Sequence, residues 1–176
     1  MRVEVGQHFV VFEDDVGGEF GLIDAPLEVV AEAFVKGDVL LEISGPTRAI
    51  LTGERTALNF LQRLCGVATQ TRRYVEAVQP HPVQIWDTRK TTPGWRRLEK
   101  AAVKAGGGTN HRMGLYDQVM VKDNHLAVLG AHGFGLKEAI RIVRARIPHT
   151  MHLEVEVDRL AQLPAVIAAE PDTIML

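Results

Sequence analysis

Three short stretches of this chain gather cationic and hydrogen-bonding side chains just past segments of strand or glycine character. Arg89 and Lys90 follow the apolar run Val83-Gln84-Ile85-Trp86, inside Asp87-Thr88-Arg89-Lys90-Thr91-Thr92-Pro93-Gly94. Gly106-Gly107-Gly108-Thr109-Asn110-His111-Arg112 comes next, and Lys122-Asp123-Asn124-His125 follows Val119-Met120-Val121. Residues 86–125 hold eight Lys or Arg against four Asp or Glu, although the chain as a whole stands at −2. Such a local excess predicts a pocket for a small ligand with several negative charges. A solvated face would instead scatter its lysines along helices.

Arginine grips a carboxylate through a planar fork, while lysine is a compact charge suited to phosphate. Arg89, Lys90, Arg112 and Lys122 therefore suit substrates that carry both groups. The three glycines could present amides to an anion as a nest, although a glycine run after a helix is more often a plain exit. His111 is expected to touch the ligand, and His125 is balanced between that role and holding a loop together. Glu156, at the end of a later strand, could hold a ribose hydroxyl, stabilise a developing cation or touch Mg2+. One of Glu154 and Glu156 is expected to be plain surface.

The elements that must position these residues change character along the chain. Residues 1–51 read as a small α/β region. They contain an apolar-rich run His8–Phe12, a helix over Ala25–Phe34 with Pro26 in its first turn, and a strand over Val39–Ile43. This region carries ten acids against three bases over residues 1–48. From Thr52, a reasonable N-cap, apolar residues follow a 3.6-residue period until Pro80 and Pro82 stop the helix. Gly66 in its middle costs about 1 kcal/mol relative to alanine and predicts a kink or a close helix contact.

Beyond residue 80 the chain alternates. Strands are expected at Val83–Trp86, Gln118–Val121, Met151–Val155 and near Asp172–Leu176. Helices are expected at Trp95–Ala105, Gly135–Ile147 and Asp158–Ala168. Alternation of this kind is the pattern of βαβ units on a parallel sheet. The expected fold class is α/β, an N-terminal α/β sandwich portion followed by an incomplete, about four-stranded parallel β/α barrel. In such barrels function gathers at the C-terminal strand ends, where Arg89-Lys90, Lys122 and Glu156 fall. Four strands cannot close a barrel of roughly eight units, so a truncated and inactive chain is expected.

The bulk numbers narrow the class. With 176 residues and 46% apolar content, one core or two small ones can be buried. A pI near 6.4 argues against a general nucleic-acid binder. A lone cysteine, Cys65, excludes an internal disulfide and a Cys-based zinc site, fits a reducing compartment, and is expected to be inert. No His or Cys pair has zinc-site spacing. No apolar run approaches the roughly 20 residues of a membrane helix, and the N-terminus does not read as a signal peptide. A cytoplasmic protein without membrane or nucleic-acid partners is expected.

Several of these stretches together resemble the quinolinate phosphoribosyltransferases. They are Glu54–Asn59, Cys65–Thr69, Asp87–Gly94, Gly106–Leu115, Lys122–His125 and Glu154–Val157, and the likeness runs in unbroken order from about residue 35 to residue 176. The resemblance implies transfer of phosphoribose from phosphoribosyl pyrophosphate to quinolinate with Mg2+. The products would be nicotinate mononucleotide, pyrophosphate and CO2, in NAD biosynthesis. It implies that Arg55 is lent across a homodimer, and that Thr88, Arg89 and Lys90 form a Thr-Arg-Lys site. His111 and Arg112 would face the quinolinate carboxylates. Lys122 would be the lysine of the Lys-Asp/Glu-Asn-His turn, and Glu156 would be the acid at the ribose. Lys90, Lys122 and Glu156 are the expected catalytic residues. A second family acid is expected beyond Leu176, and the first 34 residues match poorly. The alternatives are a relative of the same fold associated with molybdate transport, and a truncated, non-catalytic dimerising relic.

Overall fold

The computed structural model describes residues 10–13, 19–22 and 45–176. The expected helix over Ala25–Phe34 and strand over Val39–Ile43 lie outside the described residues. The chain divides into two compact units, Met1–His111 and Arg112–Leu176.

In the first unit, β1 (Val10–Glu13) pairs antiparallel with β2 (Glu19–Leu22), with Val10 opposite Leu22 and Glu13 opposite Glu19. The dominant element is α1, Thr47–Ala77. It begins before the expected Thr52, whose hydroxyl donates to the Arg48 carbonyl at 2.8 Å. Thr52 is thus an interior residue bonded back to its own helix, and Pro46 occupies the N-cap position. The helix ends at Ala77, before Pro80, as the sequence predicts. Gly66 lies within the unbroken helix and meets no neighbour, since a Cβ built there has nothing within 4 Å.

The second helix, α2 (Arg96–Ala105), packs on α1. Leu64 and Ala68 of α1 and Ala102 of α2 form a buried cluster, flanked by Val67, Leu98 and Ala105. Phe60 stacks on Trp95 with ring centroids 4.4 Å apart, which pins the start of α2 to α1. The expected strand Val83–Trp86 is not a strand. Trp86 makes a single isolated parallel bridge to Thr109, with Thr109 N donating to Ile85 O at 2.8 Å. An apolar run alone does not make a strand, and this one finds no ladder beyond a single bridge.

Of the two readings of the glycine run, the nest and the plain helix exit, the structure shows the exit. Gly106 N bonds Ala102 O, Gly107 N bonds Lys104 O and Gly108 N bonds Val103 O. These three amides therefore satisfy the last carbonyls of α2 and are not free to cradle an anion. A Cβ on Gly106 would fall 2.7 Å from Thr71 Cβ, and one on Gly108 would fall 2.8 Å from Thr71 Cγ2. The run is small because it lies against α1.

The second unit is a three-stranded parallel sheet in the order β3 (Val119–Val121), β4 (Leu153–Glu156), β5 (Thr173–Met175). Between β3 and β4 lie α3 (Asp123–Ala131) and α4 (Leu136–Arg146). Between β4 and β5 lie a 3₁₀ turn (Leu160–Gln162) and α5 (Leu163–Ile167). The alternation expected from sequence is present, with three strands rather than four and an additional helix, α3. The core joins Val121, Leu153, Val155 and Val157 to Ile140 of α4 and to Val166 and Ala169 around α5. Central β4 buries Leu153, Glu154 and Val155 in succession, as expected of a strand covered on both faces of a parallel sheet.

Asp172 fixes the start of β4. Its carboxylate accepts Leu153 N at 2.7 Å and pairs with Arg144, which also donates to Met151 O at 3.0 Å. The Leu153 amide, followed by the Arg144 guanidinium, holds its carboxyl below the ordinary range. Among the described residues, no helix is long and apolar enough to cross a membrane.

Candidate active site

Each unit collects part of the expected site. In the first, the segment ending at Asp87 runs beside Thr109–His111. Asp87 N donates to Thr109 O at 3.2 Å, and Asp87 Oδ1 accepts His111 N at 2.8 Å. The chain leaves Asp87 straight into Thr88-Arg89-Lys90, so this bridge brings the Thr-Arg-Lys turn and His111 to one place. Arg89 and Lys90 thus sit on a loop rather than at a strand end, and the loop is held by its own bonds. Lys90 N donates to Thr88 Oγ1 at 3.0 Å, Thr91 N to Arg89 O at 2.9 Å, and Arg96 to Arg89 O and Thr91 Oγ1 at 3.3 and 3.2 Å.

Thr88 and Lys90 are exposed. Arg89 is half-buried, and its Nε is buried with no hydrogen-bond acceptor among the described residues. Buried donors are nearly always paired, so this one is an exception within the turn. His111 stacks on Trp86 at 5.6 Å and 21°. Arg55 is exposed on α1 and, among the described residues, joins neither cluster.

Two networks that the sequence reading missed hold this loop. Lys100 is 1% exposed, pairs with Asp87, and donates to His111 O at 3.0 Å. The Asn110 amide, in its satisfied orientation, donates to Asp87 Oδ2 at 2.8 Å and to Lys100 O at 2.9 Å. Glu99 accepts Thr92 Oγ1 at 2.7 Å, Thr92 N at 3.0 Å and Arg63 at 3.2 Å. Part of the local cationic excess is therefore structural, with Lys100 and Arg96 serving the fold. The only signal in the sequence is an acid directly between an apolar run and Thr-Arg-Lys. Its partner thirteen residues on cannot be singled out without the fold.

Burial pushes the Glu99 carboxyl up, but the Thr92 hydroxyl and amide and Arg63 outweigh it and hold it below the ordinary range. Both Glu99 and Asp172 have folded values depressed below their ordinary 4.5 and 3.8. Each contributes stability that is complete above those ordinary values and is lost as pH falls through the folded ones. Urea denaturation across pH 7 to 3 is expected to show stability from these two groups falling only below about 4.5. Asp172→Asn and Glu99→Gln are expected to flatten the fall, and an unchanged acid limb in both variants would overturn this assignment.

In the second unit, the parallel register sets Met120 beside Glu154 and Val121 beside Val155, which makes Lys122 and Glu156 the next cross-strand neighbours. They form an ion pair at 2.8 Å with side chains 44% and 32% exposed. Exposed pairs of this kind contribute only about 0–1 kcal/mol, so ligand groups can replace either partner at little cost. Glu154, a candidate for plain surface, is buried and accepts Gln118 Nε2 at 2.8 Å. Arg112 reaches Gln118 O at 3.5 Å and Met120 Sδ at 3.3 Å. His125 Nδ1 accepts Lys122 N at 2.9 Å, so this histidine closes the first turn of α3. Lys122-Asp123-Asn124-His125 is a helix start.

Burial raises the Cys65 thiol above its ordinary value, in keeping with an inert residue. Among the described residues there is no group of three or more His, Cys, Asp or Glu arranged to hold a metal.

Comparison with known proteins gives one consistent answer. Residues 67–176 match the model of the quinolinate phosphoribosyl transferase C-terminal domain, and residues 31–65 match that of the N-terminal domain. A probable nicotinate-nucleotide pyrophosphorylase (carboxylating) of Bacillus subtilis is 45% identical over 161 residues, covering 89% of this chain and 54% of the relative. The nicotinate-nucleotide pyrophosphorylase (carboxylating) of Mycobacterium leprae is 47% identical over 140 residues, with 80% and 48% covered. The crystal structure of NadC from Streptococcus pyogenes superposes with a TM-score of 0.76 at 47% identity, over 83% of this chain and 50% of that one. The chain spans about half the length of the curated relatives it matches.

Proposed function

The chain belongs to the quinolinate phosphoribosyltransferase family, and from that membership we propose that its protein joins quinolinate to phosphoribosyl pyrophosphate with loss of CO2. Nicotinate mononucleotide and pyrophosphate are the other products. The observation that carries this reading is the Thr88–Lys90 turn beside His111, with Arg89 Nε buried and lacking an acceptor among the described residues. That arrangement fits a planar dicarboxylate, since an arginine fork matches a carboxylate edge.

In this reading Arg89, His111 and Arg112 bind the quinolinate carboxylates. Lys90 and Lys122 neutralise phosphate and carboxylate charge, and Glu156 supports the ribose as it becomes cationic. The pyridine nitrogen attacks the anomeric carbon while pyrophosphate leaves. Holding both anions in line supplies proximity, and the carboxylate stabilises the positive ring. Mg2+ keeps most of its waters and needs only one or two protein carboxylates when phosphates supply the rest. The single partly exposed Glu156 fits that demand, and the ion bound with pyrophosphate would offset the leaving charge. CO2 then departs from an electron-poor pyridinium, the ring carbon keeping the bond's electron pair and taking a proton from water, without a protein nucleophile, in keeping with the raised thiol of Cys65.

The working unit we propose is at least a homodimer in which exposed Arg55 serves the neighbouring subunit, in the cytoplasm. The family matches do not favour the molybdate-associated alternative. Quinolinate at a hundred times its dissociation constant is expected to raise the unfolding free energy by about 2.7 kcal/mol, and nicotinate, lacking one carboxylate, by much less. Formation of nicotinate mononucleotide is the activity predicted for the whole protein. Absence of any stabilisation by millimolar quinolinate would sink the reading.

A further inference from the structure

Resting on that reading, we propose that the buried Asp87–Lys100 ion pair is a positioning device, gripping the His111 peptide on both sides so that the imidazole is aimed at the dicarboxylate. Lysine is almost never fully buried unless paired, and a buried pair is often no more stable than apolar residues of the same volume. Stability alone therefore does not account for a lysine that is 1% exposed.

The geometry supplies another account. Asp87 Oδ1 takes the His111 N–H at 2.8 Å, while Lys100 Nζ donates to the His111 carbonyl at 3.0 Å and pairs with the same carboxylate oxygen. The other oxygen, Oδ2, receives the Asn110 amide at 2.8 Å. Both peptide groups flanking the His111 Cα are thereby fixed, and the Trp86 indole at 5.6 Å limits what rotation of the ring remains. Asp87 also directly precedes Thr88-Arg89-Lys90, so one carboxylate sets the spacing between that turn and His111. An apolar pair could fill this volume but could hold neither the N–H nor the carbonyl. Sites of this kind depend on positioning to within about half an ångström.

Three variants of the full chain test the inference: Asp87→Asn, Lys100→Met and the double variant. Each is measured for urea midpoint, His111 amide exchange by NMR and quinolinate affinity by calorimetry. Either single change strands a buried group and lowers the midpoint. The double change removes both charges and restores the midpoint to that of the wild type. Affinity is nonetheless expected to stay at least about tenfold weaker, and His111 exchange at least about tenfold faster, because the bond to its carbonyl is gone and the asparagine oxygen that still accepts its N–H carries no charge. Recovery of affinity and exchange together with the midpoint would show a merely structural pair and overturn the inference. So would a double variant whose midpoint does not recover, since the pair would then be serving stability. If the wild-type chain itself fails to bind quinolinate, the functional reading falls. The clamp is then judged on exchange alone: wild-type rates in the double variant reject it, and accelerated rates uphold it.

Discussion

Gly106→Ala is expected to lower the unfolding free energy by about 3 kcal/mol, near the upper end for overpacking a close contact. Gly106 has φ −72° and ψ 1°, a conformation alanine adopts freely, so the cost is steric. The added methyl would meet the Ala68 carbonyl oxygen and would lie 2.7 Å from Thr71 Cβ. Both neighbours belong to the middle of α1, where Ala68 is fully buried and Thr71 is tied to Val67 O at 2.9 Å, so neither can give way. Relief requires α2 to back away from α1, opening the cluster of Leu64, Ala68 and Ala102.

Gly107 and Gly66 serve as internal controls. Gly107 has φ +87°, and a Cβ there would make only ordinary contact with Val75 at 3.7 Å, so alanine meets only the backbone penalty of about 1–2 kcal/mol. Gly66 has neither constraint, and alanine there is expected to gain up to about 1 kcal/mol of helix propensity. Urea denaturation of the three variants separates the causes. If Gly106→Ala lies within about 0.5 kcal/mol of the wild type, the ordinary scatter of surface substitutions, the close approach of α2 to α1 is wrong.

What could be read from the sequence follows from which interactions are local. The 3.6-residue period of α1 is a property of neighbouring residues, and its end at Ala77, just before Pro80, follows from proline's missing N–H. The parallel alternation after residue 112 is likewise a local pattern, repeated. By contrast, α3 was missed because its apolar residues Leu126, Ala127, Val128 and Leu129 run consecutively rather than as a stripe, and none is buried. Val83–Trp86 was misread because strand identity lies in a partner, and the partner here is one residue, Thr109.

The site divides in the same way. Cations in unusual turns are visible as types and spacing, and Lys122 beside Glu156 follows once two strands are parallel and in register. The supports of those turns were not legible. The pairings of Asp87 with Lys100 and of Thr92 and Arg63 with Glu99 join residues on different elements, and only packing decides which charges are buried together. The choice between a nest and a plain exit for the glycine run was not legible for a related reason. The run's amides are claimed by the end of α2, a bond pattern that depends on where that helix stops.

Arg89→Ala is expected to weaken quinolinate binding by about a hundredfold without destabilising the fold. Loss of a fork that makes two charge-assisted hydrogen bonds, each worth about 1.5–3 kcal/mol, removes 3 kcal/mol or more, and each 1.4 kcal/mol is tenfold in affinity. The fold should tolerate the change because the loop is held through the Arg89 backbone, whose carbonyl accepts Thr91 N and Arg96. The side chain by contrast carries a buried Nε with no acceptor among the described residues. Removing a buried unsatisfied donor relieves about 1–3 kcal/mol of desolvation, which offsets the lost packing of the side-chain stem. Arg89→Lys keeps the charge and loses the fork, so it should fall between alanine and wild type in affinity. Calorimetric titration with quinolinate beside urea denaturation checks both halves. A salt-bridging or structural arginine would lose stability and affinity together, whereas a ligand-binding arginine loses affinity alone. Unchanged affinity in Arg89→Ala would remove the Thr-Arg-Lys turn from the proposed site.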